Sequence, residues 1–138
     1  MVQQLARLFG AVYLIVGVLG FVPFAPITTP PPPDADFLVL SQLYRYLAGL
    51  FPVNAIHDVV HLAIGIWGLV SSRSPEKAQA FWRGAAIVLG IFAILGFIPT
   101  LSTVFGIVPL GGYDAWLHAA SALLAIYLGW GVRVTQEA

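Results

Sequence analysis

The chain has 138 residues, of which 59% are hydrophobic and 9% charged, with six basic side chains against six acidic ones. Soluble domains carry about 25% charged residues, and a fold of this size cannot bury so much apolar surface, so a lipid bilayer is the expected solvent. Zero net charge argues against nucleic acid as a partner, and the lack of cysteine excludes disulfides, thiolate catalysis and thiolate metal sites.

The chain reads as a single membrane domain, 1–138, with four apolar spans. The first covers about 5–22 and is too long to be a cleaved signal. A long outer loop follows. Its first part, PFAPITTPPPP, is extended. Its second part, about 36–50, has Phe37, Leu40, Tyr44, Leu47 and Phe51 at helical spacing, with Ser41, Gln42 and Arg45 between them. This predicts an amphipathic helix lying on the outer surface, capped by Asp34 or Asp36. The remaining spans cover about 53–71, 80–98 and 113–132, with a 71–80 loop on one side and a 99–112 loop on the other. Each approaches the ~20 residues that cross ~30 Å of hydrocarbon. Pro23, Pro52, Pro75, Pro99 and Pro109 mark span ends. Nothing alternates with period two, and four spans are too few to close a barrel. The expected fold class is therefore all-α integral membrane, a four-transmembrane-helix bundle.

Five of the six basic residues, Arg7, Arg73, Lys77, Arg83 and Arg133, fall on one side of this arrangement and only Arg45 on the other. The positive-inside rule then makes both termini and the 71–80 loop cytoplasmic. Glu76 and Glu137 lie on that same side. Arg7 and Arg83 read as interface anchors, and Trp82, Trp130, Tyr113 and Tyr127 as belt residues.

The chain repeats itself. Leu19-Gly20-Phe21-Val22-Pro23 aligns on Leu95-Gly96-Phe97-Ile98-Pro99, and Gly49-Leu50-Phe51-Pro52-Val53 on Gly106-Ile107-Val108-Pro109-Leu110. In the second register His61 falls on His118 and His57 on Asp114. Two hairpin repeats of like orientation would be related by an axis along the membrane normal.

All three histidines lie in spans two and four. His57 and His61 are four residues apart and share a helical face with Asn54, and Asp114 and His118 are likewise four apart. Both pairs run into small residues, Gly65 and Gly68 in one span, Ser121, Ala122, Ala125 and Gly129 in the other, which marks close helix contact. Val59, Leu62, Ile66, Leu69, Trp116, Leu123, Ile126 and Trp130 occupy the opposite, lipid-suited faces. Spans one and three read as packing helices.

His57, His61, Asp114 and His118 thus form a candidate ligand set near the outer membrane face. Imidazole and carboxylate suit zinc, copper, iron or manganese, and His61 and His118 could also hold haem or another tetrapyrrole. Asn54 and Asp58 are candidate acceptors for the free ring N–H groups, and Ser121 borders the same face. Two other readings stand beside this one: a hydrogen-bonded network that only glues the bundle, and a proton relay. No Gly-rich loop follows a strand, and Thr100, Ser102 and Thr103 have no base beside them, which weighs against catalysis.

LFPVNAIHDVVHLAIGIWGL, residues 50–69, resembles the signature of an uncharacterised bacterial family of four-helix membrane proteins, domain of unknown function 4383. Pro52, Val53, Asn54, His57, His61, Leu62, Gly65 and Gly68 carry the match, with Pro109-Leu110-Gly111 and His118 in the second half. Asp58 stands where that pattern tends to have Asn. The resemblance implies the four-span fold and the bacterial inner membrane, and it implies no activity. The expected function is a membrane protein holding a transition metal or haem. The alternative is a cofactor-free accessory subunit of a larger membrane complex or a homo-oligomer.

Overall fold

The computed structural model describes residues 1–23 and 26–133. Glu137, and Phe24 and Ala25 of the proline-rich run, lie outside the described residues. Four helices carry the structure: α1 (Val2–Phe21), α2 (Ala55–Ser71), α3 (Pro75–Phe97) and α4 (Tyr113–Ile126), the last continued by a π-helical turn over Tyr127–Gly131. Among the described residues α1 and α3 are long and apolar enough to cross a membrane; α2, of 17 residues, is shorter.

The helix ends follow from local sequence. Asn54 caps α2 through its side-chain oxygen, which accepts from the His57 N–H at 3.0 Å. Ser74 caps α3, with Pro75 in the first turn and Glu76 beside it. Helix α3 therefore starts well before residue 80, and the expected 71–80 loop shrinks to a short turn. Ser74-Pro75-Glu76 is a helix N-terminal sequence, with a capping hydroxyl, a proline in the first turn and an acidic residue beside it. At the other ends, α1 and α3 stop two residues before Pro23 and Pro99. Val22 and Ile98 are both extended, as a residue preceding proline prefers.

Helices α1 and α2 form one antiparallel hairpin, α3 and α4 the other. Small residues let the backbones meet. Gly10 lies against Gly65, Gly68 and Leu69, and Gly17 against the Asp58 carbonyl and Leu62. Gly96 lies against Leu110 and Ala115, and Gly129 against Arg83. The hairpins join at the end where α1 begins. There Phe81, Trp82, Ala85 and Leu89 are fully buried, and the Trp82 indole N–H donates to the Val2 carbonyl at 3.0 Å. Trp82 is thus a core residue, not a belt residue as its place near a span end suggested. Trp130, Tyr113 and Tyr127 are more than half exposed. The Arg83 Nε donates to the Gly129 carbonyl at 2.8 Å, occupying an acceptor that the π turn leaves free.

No helix forms over 36–50, and the fold is not purely α. Three short strands replace it: β1 (Thr28–Thr29), β2 (Arg45–Leu47) and β3 (Phe51–Val53), in the antiparallel order β1-β2-β3. Leu47 and Leu50 close a tight turn, 3.0 Å from N to O, with Ala48 and Gly49 both at positive φ. That is the turn whose twist suits a hairpin. The apolar spacing of 37–51 fits a helix, but Phe37 is 84% exposed and covers nothing. Pairing with Thr28 and Thr29 satisfies the loop backbone instead.

The two halves match in detail. Ala48 and Gly49 have positive φ, and so do their counterparts Phe105 and Gly106. The Val22 and Ile98 amides reach back to the Leu19 and Leu95 carbonyls alike. Gly20 meets Asp58 where Gly96 meets Ala115.

Candidate metal centre

The polar cluster sits at the end of the bundle where α2 and α4 begin. His57 is in the first turn of α2 and Asp114 in the first turn of α4; His61 and His118 lie one turn deeper. Helix α2 starts here because Asn54, in an extended conformation after Pro52-Val53, caps it, and α4 starts here because Gly112, at φ +67°, cannot continue a helix backward. Asn54 pins the ends together: its Nδ2 donates to the Leu40 carbonyl at 2.9 Å and the Ile107 carbonyl at 2.7 Å. With its oxygen engaged by the His57 amide, Asn54 holds loops and helix start and does not contact the imidazoles in the manner expected of it.

His57, His61, Asp114 and His118 are all buried, at 4% exposure or less. Each histidine offers one ring nitrogen such that the three atoms lie within 4.8 Å of one another, so the cluster can hold a metal ion. The Asp114 carboxylate stands 3.3 Å from His118 Nδ1 and 3.8 Å from His57 Nε2. Both His57 nitrogens and one nitrogen each of His61 and His118 are buried without a well-formed hydrogen bond. Buried polar atoms are normally paired. One nitrogen from each of the three rings comes close to a shared point, which marks a place for a common partner.

The walls come from all four helices. The Tyr13 ring stands edge-on to His61 at 5.3 Å between centroids, and Phe92 lies 5.5 Å from His118. The carbonyls of Pro52 and Pro109, equivalent in the two halves, are the backbone acceptors nearest His57. Tyr13 was not expected here. Its signal is positional: it falls between Gly10 and Gly17 on the stripe α1 buries. Ser121, three residues past His118, is partly buried and faces the Tyr13 side of the cluster.

Asp58 points elsewhere. Its carboxylate fills the space a Cβ at Gly20 would occupy; it is fully buried, and neither oxygen accepts a hydrogen bond. A buried carboxylate with no hydrogen-bond donor, compensated only through space by the Arg45 charge, is costly, and an amide of the same size is less so. Asp58→Asn is therefore expected to stabilise the fold by about 1–3 kcal/mol, read as a higher midpoint of thermal unfolding in detergent. A lower midpoint would show that the carboxylate is needed as such, and an unchanged one that its burial carries no net cost.

The class is thus defined by four helices in two hairpins with a buried His/Asp cluster at one end. The chain belongs to the family described as domain of unknown function (DUF4383), whose model matches residues 3–131. No curated protein and no solved structure matches it.

Proposed function

We propose that this chain is a four-span inner-membrane protein that binds one transition-metal ion through His57, His61 and His118 near its outer face. The observation that carries the reading is the convergence of three buried ring nitrogens within 4.8 Å, with most of the ring nitrogens left unpaired. Tetrahedral ligands at ~2.0–2.1 Å from zinc stand about 3.3 Å apart, so modest side-chain rotation closes the set. Asp114, beside His118 Nδ1, is placed to fix that ring's tautomer and orientation or to supply a fourth ligand. Imidazole and carboxylate suit zinc, copper and iron. The His57 ring lies 4.4 Å from His61 and 5.7 Å from His118 between centroids, in the space that a porphyrin held between those two rings would fill, which favours a bare ion over haem.

The membrane reading is supported by the apolar flanks. Leu8, Ile15, Val59, Ile66, Ile94 and Leu123 are each more than half exposed. So wide an apolar surface needs lipid or a partner to cover it. Helix α2 is about 25 Å long and α4 with its π turn about 28 Å, lengths a bilayer accommodates by thinning locally. The clustering of Arg7, Arg73, Lys77, Arg83 and Arg133 supports cytoplasmic termini. The matching halves support descent from a duplicated hairpin.

The test is elemental analysis and an absorption spectrum of protein purified without a histidine tag. Stoichiometric metal is expected in the parent and none in a His61→Ala/His118→Ala double variant. Metal-free parent protein that stays folded would leave a cofactor-free accessory subunit as the better account.

A further inference from the structure

The hairpins meet at the end where α1 begins but part along one flank. There α1 and α4 leave a cleft of about 270 Å³. Its rim is apolar and exposed, with Val12 and Leu117 on opposite sides. Phe9, Tyr13 and Trp82 form an aromatic floor, Phe9 stacked on Tyr13 at 4.4 Å and edge-on to Trp82 at 5.1 Å. Three polar residues line its inner end, Tyr13, His61 and Ser121, with the Ser121 hydroxyl facing the Tyr13 hydroxyl. Tyr13 is 7% exposed and His61 4%, and the Tyr13 oxygen and His61 Nδ1 lack a well-formed hydrogen bond.

From this we infer that the cleft is a binding site for a membrane-soluble quinone, entered sideways from the lipid. A bare hydrocarbon chain would offer the Tyr13 and Ser121 hydroxyls, which face each other, no further acceptor, and a carbonyl would supply one. A fatty acid or phospholipid head would bring a negative charge, and no basic residue lines the cleft. A flat ring suits the aromatic floor, and an isoprenoid tail suits the apolar rim. The quinone ring would take hydrogen bonds from Tyr13 and Ser121, beside His61, which the metal reading makes a ligand. The inference rests on the membrane-spanning reading and not on the metal.

The experiment titrates full-length protein in detergent micelles with a decyl-substituted benzoquinone, following the quenching of tryptophan emission. It is run on chelator-treated and metal-loaded samples, so a missing metal sinks only the metal reading. Recovery of the protein in the membrane fraction after alkaline washing is scored separately, so failure of the membrane reading is seen independently. Saturable quenching by one quinone per chain is expected. Tyr13→Phe and Ser121→Ala, both mild changes, should each weaken it roughly tenfold, and Val12→Phe, which fills the mouth, should abolish it. Three outcomes overturn the site: quenching that never saturates, hexadecane reversing the quenching at the concentrations at which the quinone binds, or variants that bind like the parent.

Discussion

His118→Ala is expected to lower metal affinity by about two orders of magnitude, while Asp114→Asn lowers it by roughly ten- to a hundredfold and leaves binding measurable. The first figure follows from the free energy of a structural zinc site, ~10–16 kcal/mol shared over four ligands, which is about 3 kcal/mol each. The second is the usual cost of losing a carboxylate that orients a ligating histidine. His118 is 1% exposed, so the ligand removed has no nearby water-filled space from which a replacement readily enters. Asp114 stands 3.3 Å from His118 Nδ1, and asparagine keeps its shape but not its charge. Competition titration of chelated protein against a chelator of known affinity measures both. A larger loss for Asp114→Asn than for His118→Ala would make Asp114 a ligand in its own right. No loss in either would place the metal, if any, elsewhere.

The second large effect concerns packing, and it separates close contact from mere smallness. Gly65→Ala is expected to destabilise the protein by about 3 kcal/mol, the upper end of overpacking costs. A methyl group at Gly65 would stand 2.6 Å from the Leu14 nitrogen and 2.8 Å from the Gly10 oxygen, both backbone atoms, so α1 and α2 must separate to admit it. Gly90 is the control. It lies in α3 with nothing within 4 Å of its missing Cβ, so Gly90→Ala gains helix propensity of about 0.5–1 kcal/mol without a clash. Chemical unfolding in detergent should therefore move the two variants in opposite directions. A shift of the same sign in both would mean that the hairpin contact at Gly65 is looser than described.

Which of these features were legible beforehand depended on whether their cause is local. The spacing of His57 with His61 and of Asp114 with His118 put each pair on one helical face, because 3.6 residues per turn leaves no other arrangement. Small-residue stripes marked which faces meet, and Val59, Ile66, Leu123 and Trp130 do lie exposed on the faces opposite. Leu62 instead leans on Gly17. The helix stops before Pro23 and Pro99 were equally local, set by the clash between a proline ring and the preceding residue.

The outer loop shows the limit. Residues 36–50 carry a helical apolar rhythm, yet β2 forms within them because Thr28 and Thr29 offer a partner edge more than a dozen residues earlier. Strand pairing is decided by what lies alongside, and periodicity within one segment cannot report it. Asn54 and Asp58 are a second case. Both flank His57 in sequence, but Asn54 is drawn off by the Leu40 and Ile107 carbonyls, and Asp58 turns into the notch at Gly20.

By itself, then, the sequence determined the helical hairpins, the pairing of the histidines and the repeat that equates His61 with His118, since each depends on residues within a turn or on direct self-comparison. Only the tertiary structure decided that the two pairs converge, that Tyr13 and Phe92 wall them in, and that α1 and α4 part to leave a cleft at His61. Those depend on how two separately folded hairpins lean on each other at Trp82, and that contact, between residues 80 positions apart, has no local signature.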